Sequence, residues 1–152
     1  MLQRIQSVFL LGIVICMILF NFFPLWAENG SDGSLLLFKS FGATKGEQAI
    51  EGLYFIPGIL AMLVGVIAMV EIFRYNNRLT QIKLGALNAL LMASLVISSA
   101  YLITELEVID EAQRGRYGIG LGFVMLSLVC NLLANRFIRR DEKLVKSVDR
   151  IR

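Results

Sequence analysis

Four apolar runs, each about as long as a bilayer is thick, alternate with polar stretches along this 152-residue chain. They cover residues 8–26, 53–72, 84–102 and 117–137, and a helix needs roughly 20 such residues to cross about 30 Å of hydrocarbon. The pattern predicts four membrane spans, with outer loops over 27–52 and 103–116 and an inner loop over 73–83. Pro57 falls in the first turns of the second run, where its missing N–H is tolerated. The segment Ser34 to Phe38 is an apolar insert in the first loop, too short to span, and reads as a strand or a hydrophobic lid. The first run is longer than the ~7–15 residues of a signal-peptide core, and bulky Trp26 precedes Ala27, so a retained span is expected.

The last run passes from Phe137 into a charged segment with no Gly or Pro between them. One continuous helix is expected, half in lipid and half in water. On its polar part Phe137, Leu144, Val148 and Ile151 share a narrow stripe flanked by Ile138 and Val145, while charges fill the remaining surface. The fold class read from the sequence is therefore all-α. It is an integral membrane four-helix (tetraspan) bundle over residues 1–138, with a cytoplasmic amphipathic helical tail over 139–152.

Composition supports one membrane domain, since 57% of the residues are hydrophobic. The net charge of +3 is mild, but its placement is not. If both termini share a side, that side carries eleven bases, against four bases and eight acids opposite. The positive-inside rule makes the basic side cytoplasmic. Trp26, Tyr54, Tyr101 and Tyr117 fall at the outer ends of the four spans, where interfacial rings are expected.

Within the spans, small residues provide places for close helix approach: Gly58, Ala61, Gly65 and Ala68 in the second, Ala89 with Ala93 and Ser94 with Ser98 in the third, Gly118 with Gly122 in the fourth. Ser127, Asn131 and Asn135 repeat at steps of four, so they form one polar stripe that should face protein, either as interhelical hydrogen bonds, with Asn88 at matching depth, or as a lined path. Glu71 is the one acid at a membrane-facing position, and such groups are functional candidates by default. Arg74 lies three residues on, and an interfacial ion pair is the simpler expectation.

Candidate chemistry is sparse. With no histidine there is no imidazole ligand and no Ser-His or Cys-His pair. Cys16 and Cys130 each sit inside an apolar run and read as small hydrophobes. Glu105, Glu107, Asp110 and Glu111 lack the glycine-turn spacing of a calcium loop and read as a solvated cluster. No catalytic residue, metal site or cofactor is nominated. From Arg136 onward seven bases outnumber three acids, which suits an anionic inner leaflet or a protein partner. No aromatic residues interleave them for base stacking, which argues against nucleic acid.

Three stretches also carry a family resemblance: Met1-Leu2-Gln3-Arg4-Ile5-Gln6-Ser7, then Asn77-Arg78-Leu79-Thr80-Gln81-Ile82-Lys83-Leu84 with Asn88, and the run from Ala134 to Arg152. In them the chain resembles the tetraspan membrane family called domain of unknown function 4293, found in Bacteroidota. The resemblance implies a bacterial inner-membrane protein with four spans and carries no activity with it. Its motifs lie on the expected cytoplasmic face, which favours that face as a binding surface.

The function expected is a non-enzymatic accessory subunit or scaffold. Its docking surface, for a membrane-protein partner, a second copy or lipid, would be Arg74, Arg78 and Lys83 with Arg136, Arg139, Arg140, Lys143, Leu144, Lys146, Val148 and Ile151. The alternative is a small transporter or ion pathway using Glu71 and the Ser127, Asn131, Asn135 stripe. A third class, an intramembrane enzyme, would have to use the outer acids Glu105 and Asp110.

Overall fold

The computed structural model describes residues 2–29, 33–75, 77–109 and 115–149, with side chains described over 5–29, 33–75, 77–106 and 115–143. Four helices dominate it: α1 (Leu2–Phe22), α2 (Ile56–Phe73), α3 (Arg78–Ile109) and α4 (Ile119–Asp149). Each is long and apolar enough to cross a membrane, which makes this a multi-pass membrane protein. The helices form a ring in which each packs on the next and α4 closes back on α1.

The fold is not purely all-α, as the apolar runs alone predict. Five short strands, β1 (Trp26–Asn29), β2 (Leu35–Lys39), β3 (Gly42–Lys45), β4 (Gln48–Ile50) and β5 (Arg116–Tyr117), form an antiparallel sheet in the order β4-β3-β2-β1-β5. The insert at Ser34 to Phe38 becomes β2. Strand geometry turns alternate side chains to opposite faces, so Leu36 and Phe38 are fully buried while Leu35 and Lys39 are exposed. Gly46 takes a positive φ of 60° in the two-residue link between β3 and β4, a turn that favours glycine.

The sheet closes the end of the bundle where α1 ends and α2 begins. Phe38 meets Tyr54 edge-on at 5.9 Å, and both belong to one buried cluster with Trp26, Leu36, Leu102, Ile103 and Leu106. Trp26, read as the end of the first span, is instead the first residue of β1, four residues beyond the end of α1. Its burial, and that of Tyr54, removes two of the four rings assigned to an interfacial belt; Tyr101 and Tyr117 remain exposed. A sheet lying across the bundle end covers Trp26 and Tyr54, and the sequence positions alone do not reveal it.

Main-chain hydrogen bonds knit this cap together. The Gly58 N–H in the first turn of α2 donates to Ser40 O at 2.7 Å, serving a helix start that has no side-chain cap. Ser40 Oγ donates to Asn21 O in the last turn of α1 at 3.3 Å. Leu25 N–H donates to Phe38 O at 2.8 Å, while Gly118 and Gly120 donate to Leu25 O and Pro24 O at 2.8 and 3.1 Å. The link from α1 into β1 is thus held by the β2–β3 turn on one side and the start of α4 on the other.

Helix lengths place the two overhangs. At about 1.5 Å per residue, α3 with 32 residues and α4 with 31 each run to roughly 45 Å, well beyond the ~30 Å of hydrocarbon. The last turns of α3, with Leu102, Ile103 and Leu106 buried, belong to the sheet end. The extra length of α4 lies at the opposite end, and the tail is continuous with the span to Asp149.

Candidate functional site

Burial along α2 follows the helical repeat through Pro57, Gly58, Ala61, Val64, Ala68 and Glu71. Steps of three and four keep these positions on one face, and Glu71 ends that inward face. It is fully buried, and neither carboxylate oxygen has a hydrogen-bond partner among the described residues. The expected interfacial ion pair with Arg74 is absent, because Arg74 lies just past the helix end and is exposed. The Glu71 main-chain carbonyl is satisfied instead: it accepts from Gln81 Nε2 at 3.0 Å. Gln81, only 1% exposed, thereby serves a last-turn carbonyl that the helix cannot bond itself.

The stripe on α4 faces α3. Asn131 Nδ2 donates to Gly85 O at 3.0 Å, Asn135 Nδ2 donates to Asn131 Oδ1 at 3.4 Å, and Ser127 Oγ donates to Val124 O at 2.7 Å beside Met92 Sδ at 3.7 Å. Asn88, considered as the partner from its depth, is fully buried with no hydrogen bond on either amide atom among the described residues. The cross-helix acceptor is a main-chain oxygen, which residue-type reasoning could not nominate. Gly85 is likewise set apart by no residue pattern in the sequence. A Cβ there would run into the Asn135 amide, its Cγ at 2.8 Å, so glycine allows α3 and α4 to approach.

Asn131→Ala removes the α4-to-α3 bond and the acceptor for Asn135. Such bonds between spans are worth about 0.6 kcal/mol on average and up to roughly 2. The expected outcome is a loss of that size in a detergent or denaturant unfolding series, with Ser127→Ala closer to neutral because its short hydrogen bond lies within its own helix and the thioether sulfur of Met92, its acceptor on α3, is a weak one.

Other small residues differ in use. Gly12 approaches Cys130 Sγ across α1 and α4, and Gly65 approaches Met17 across α1 and α2. Ala61 and Ala68 are fully buried, but Ser94 and Ala93 are exposed and Gly122 meets nothing. Aromatic stacking adds to the α1–α4 seam, where Phe9 and Phe137 lie 5.6 Å apart.

At the end opposite the sheet, the short link from α2 to α3 meets the overhang of α4. Asn77 Oδ1 accepts from Thr80 N–H at 3.2 Å, capping α3. Arg78 reaches across to Asp141, with Nη2 to Oδ2 at 3.1 Å and Nη1 donating to the main-chain oxygen at 3.3 Å. The two basic segments nominated from the sequence are therefore tied into one surface. Arg74, Lys83, Arg136, Arg139, Arg140 and Lys143 are exposed on it. The Leu144, Lys146 and Val148 side chains and the whole of Ile151 lie outside the described residues.

The acids between 105 and 111 form no site among the described residues. Glu105 is exposed, the Glu107 side chain and residues Asp110 and Glu111 lie outside the described residues, and no three His, Cys, Asp or Glu among the described residues are placed to share a metal ion. Burial raises the Tyr54 phenol above its ordinary range, and the charge of Glu105 adds to the effect. Cys16 and Cys130 are both free thiols on facing helices.

In comparison with known proteins, no similar curated protein was found. A family model described as "Domain of unknown function (DUF4293)" matches residues 2–151.

Proposed function

We propose, from the premise that the chain belongs to the DUF4293 family, that it is a non-enzymatic accessory subunit or scaffold of a bacterial inner membrane, with both termini cytoplasmic. Its basic face docks a larger membrane assembly. The observation that carries this reading is the Arg78–Asp141 bridge, which joins the overhang of α4 to the start of α3. A free basic tail would only attract anionic lipid. A helix held at a set angle to the bundle presents a surface of defined shape, which is what a protein partner needs.

The test is mild crosslinking in membranes followed by detergent extraction. A partner of fixed stoichiometry is expected, lost when Leu144, Val148 and Ile151 are changed together to Ser; recovery of the lone protein would count against docking. Arg78→Ala should loosen the surface without unfolding the bundle, since a partly exposed pair contributes about 1 kcal/mol or less. Hydrogen exchange should rise over the end of α4 and stay unchanged in α1. Cysteine labelling from either side of the membrane tests the sidedness separately.

A second reading, a small transporter or ion pathway, is favoured by one observation: Glu71 is buried with no ion pair among the described residues. It requires flux in liposomes that disappears in Glu71→Gln. Undiminished flux in that variant would remove it.

A further inference from the structure

Between α3 and α4, at the end away from the sheet, lies an open groove of about 680 Å³. That falls within the ~300–1,000 Å³ of small-ligand sites. Its polarity is graded along α4. Farther into the span the walls are Ala89 and Leu132 with the amides of Asn131 and Asn135 beside them; nearer the basic end they are Arg136, Arg139, Arg140 and Lys143. Gly85 and Ala86 line it on α3, with the Asn135 amide packed against Gly85. The bases repeat along one side of α4 at 136, 139, 140 and 143, spacings that keep them near one another on the helix surface. The groove and the helix end therefore share one cationic rim.

We infer that this groove holds one anionic phospholipid, its phosphate among Arg136, Arg139, Arg140 and Lys143 and an acyl chain along Ala89 and Leu132. A soluble anion would use the cationic rim and leave the apolar end without a role. A zwitterionic lipid would use the apolar end but leave the four positive charges unmatched. An amphiphile with a negative head matches both zones in their order. Guanidinium groups suit phosphate oxygens because they can donate two parallel hydrogen bonds, and basic pockets between spans are a known way to hold such head groups. The inference rests on the proposed sidedness only for which leaflet supplies the lipid.

Native mass spectrometry of the full-length protein in detergent tests this, using equimolar dioleoyl phosphatidylglycerol and dioleoyl phosphatidylcholine. A single retained phosphatidylglycerol is expected. Its retention should fall at least about fivefold in Arg139→Gln/Arg140→Gln, taking the effect of even one base near a lipid surface. It should not change in Lys39→Gln/Arg116→Gln, which removes the same charge from exposed residues of the sheet that neither line the groove nor belong to the basic face. Ala89→Phe, which fills the apolar end at constant charge, should also reduce it; if that variant does not fold, the arginine pair still decides.

Equal loss in both charge-matched pairs would overturn the groove in favour of diffuse attraction. Equal retention of phosphatidylcholine would do the same. Displacement of the lipid by millimolar glycerol phosphate or inorganic phosphate would make the ligand a soluble anion and overturn the lipid assignment. Micelles have no sides, so a failed partner capture or reversed labelling removes the docking reading and leaves this result standing.

Discussion

Changing Gly118 to alanine is expected to lower the melting temperature of the detergent-solubilised protein by about 2–12 °C, whereas Gly122→Ala leaves it unchanged or raises it slightly. The two glycines look equivalent in the sequence, four residues apart at the start of the last span. Their surroundings differ. A Cβ on Gly118 would collide with Pro24 O, with Pro24 C at 2.8 Å and Leu25 C at 3.2 Å, while nothing lies within 4 Å of one on Gly122.

The obstacle at Gly118 is main chain, which cannot swing aside as a side chain can. Relief requires the start of α4 to move off the α1–β1 link, and that stretches the Gly118 N–H to Leu25 O bond of 2.8 Å. Overpacking of this kind costs about 1–3 kcal/mol, and 1 kcal/mol moves the midpoint by roughly 2–4 °C in a chain of this size. At position 122, inside α4, alanine gains helix propensity instead. A scanning-fluorescence comparison of the two variants is sufficient. Equal melting points would show that the cap does not hold the bundle end.

Replacing Glu71 by methionine is expected to stabilise the protein, by about 1–3 kcal/mol, against the usual direction for a core change. Both carboxylate oxygens are buried without a partner among the described residues, and a buried polar group left unbonded costs that order of free energy. Methionine keeps an unbranched side chain and fills the same interior face as Val64 and Ala68. The hydrogen bond from Gln81 survives, because it ends on the main-chain oxygen of residue 71.

The informative comparison is with activity. Where a costly group is kept for function, its removal raises stability and lowers function together. Glu71→Met that is more stable and abolishes flux supports the pathway reading. If it is more stable and still captures its partner, the docking reading stands without Glu71. A variant less stable than the parent would show that the carboxylate is bonded after all. Gln81→Leu separates the main-chain contribution: the Glu71 carbonyl loses its donor, at a cost of about 1–3 kcal/mol, but Gln81 Oε1, unpartnered among the described residues, goes too, so a net loss smaller than that is expected.

Residue patterns read along the chain were sufficient for the four spans. Apolar length is a local property, and a bilayer imposes it on each helix separately. The continuity of α4 into the basic segment was legible for the same reason, as an unbroken run without Gly or Pro. The sheet was harder to read. Its strands are 2 to 5 residues long, and alternation over four positions is too short a signal to separate from a loop.

The partners of individual residues were settled only by the packed structure. Which face of α2 turns inward decides whether Glu71 reaches Arg74 or is enclosed, and that depends on where α1 and α3 pack. Asn131 finds a main-chain oxygen, Gly85 and Gly118 matter through what lies opposite them, and Trp26 is paired on one side with a strand some ninety residues away. Hydropathy acts one residue at a time, so a single chain can report it. Contacts between helices depend on pairs of positions, and a pair is defined only once both have been placed in space.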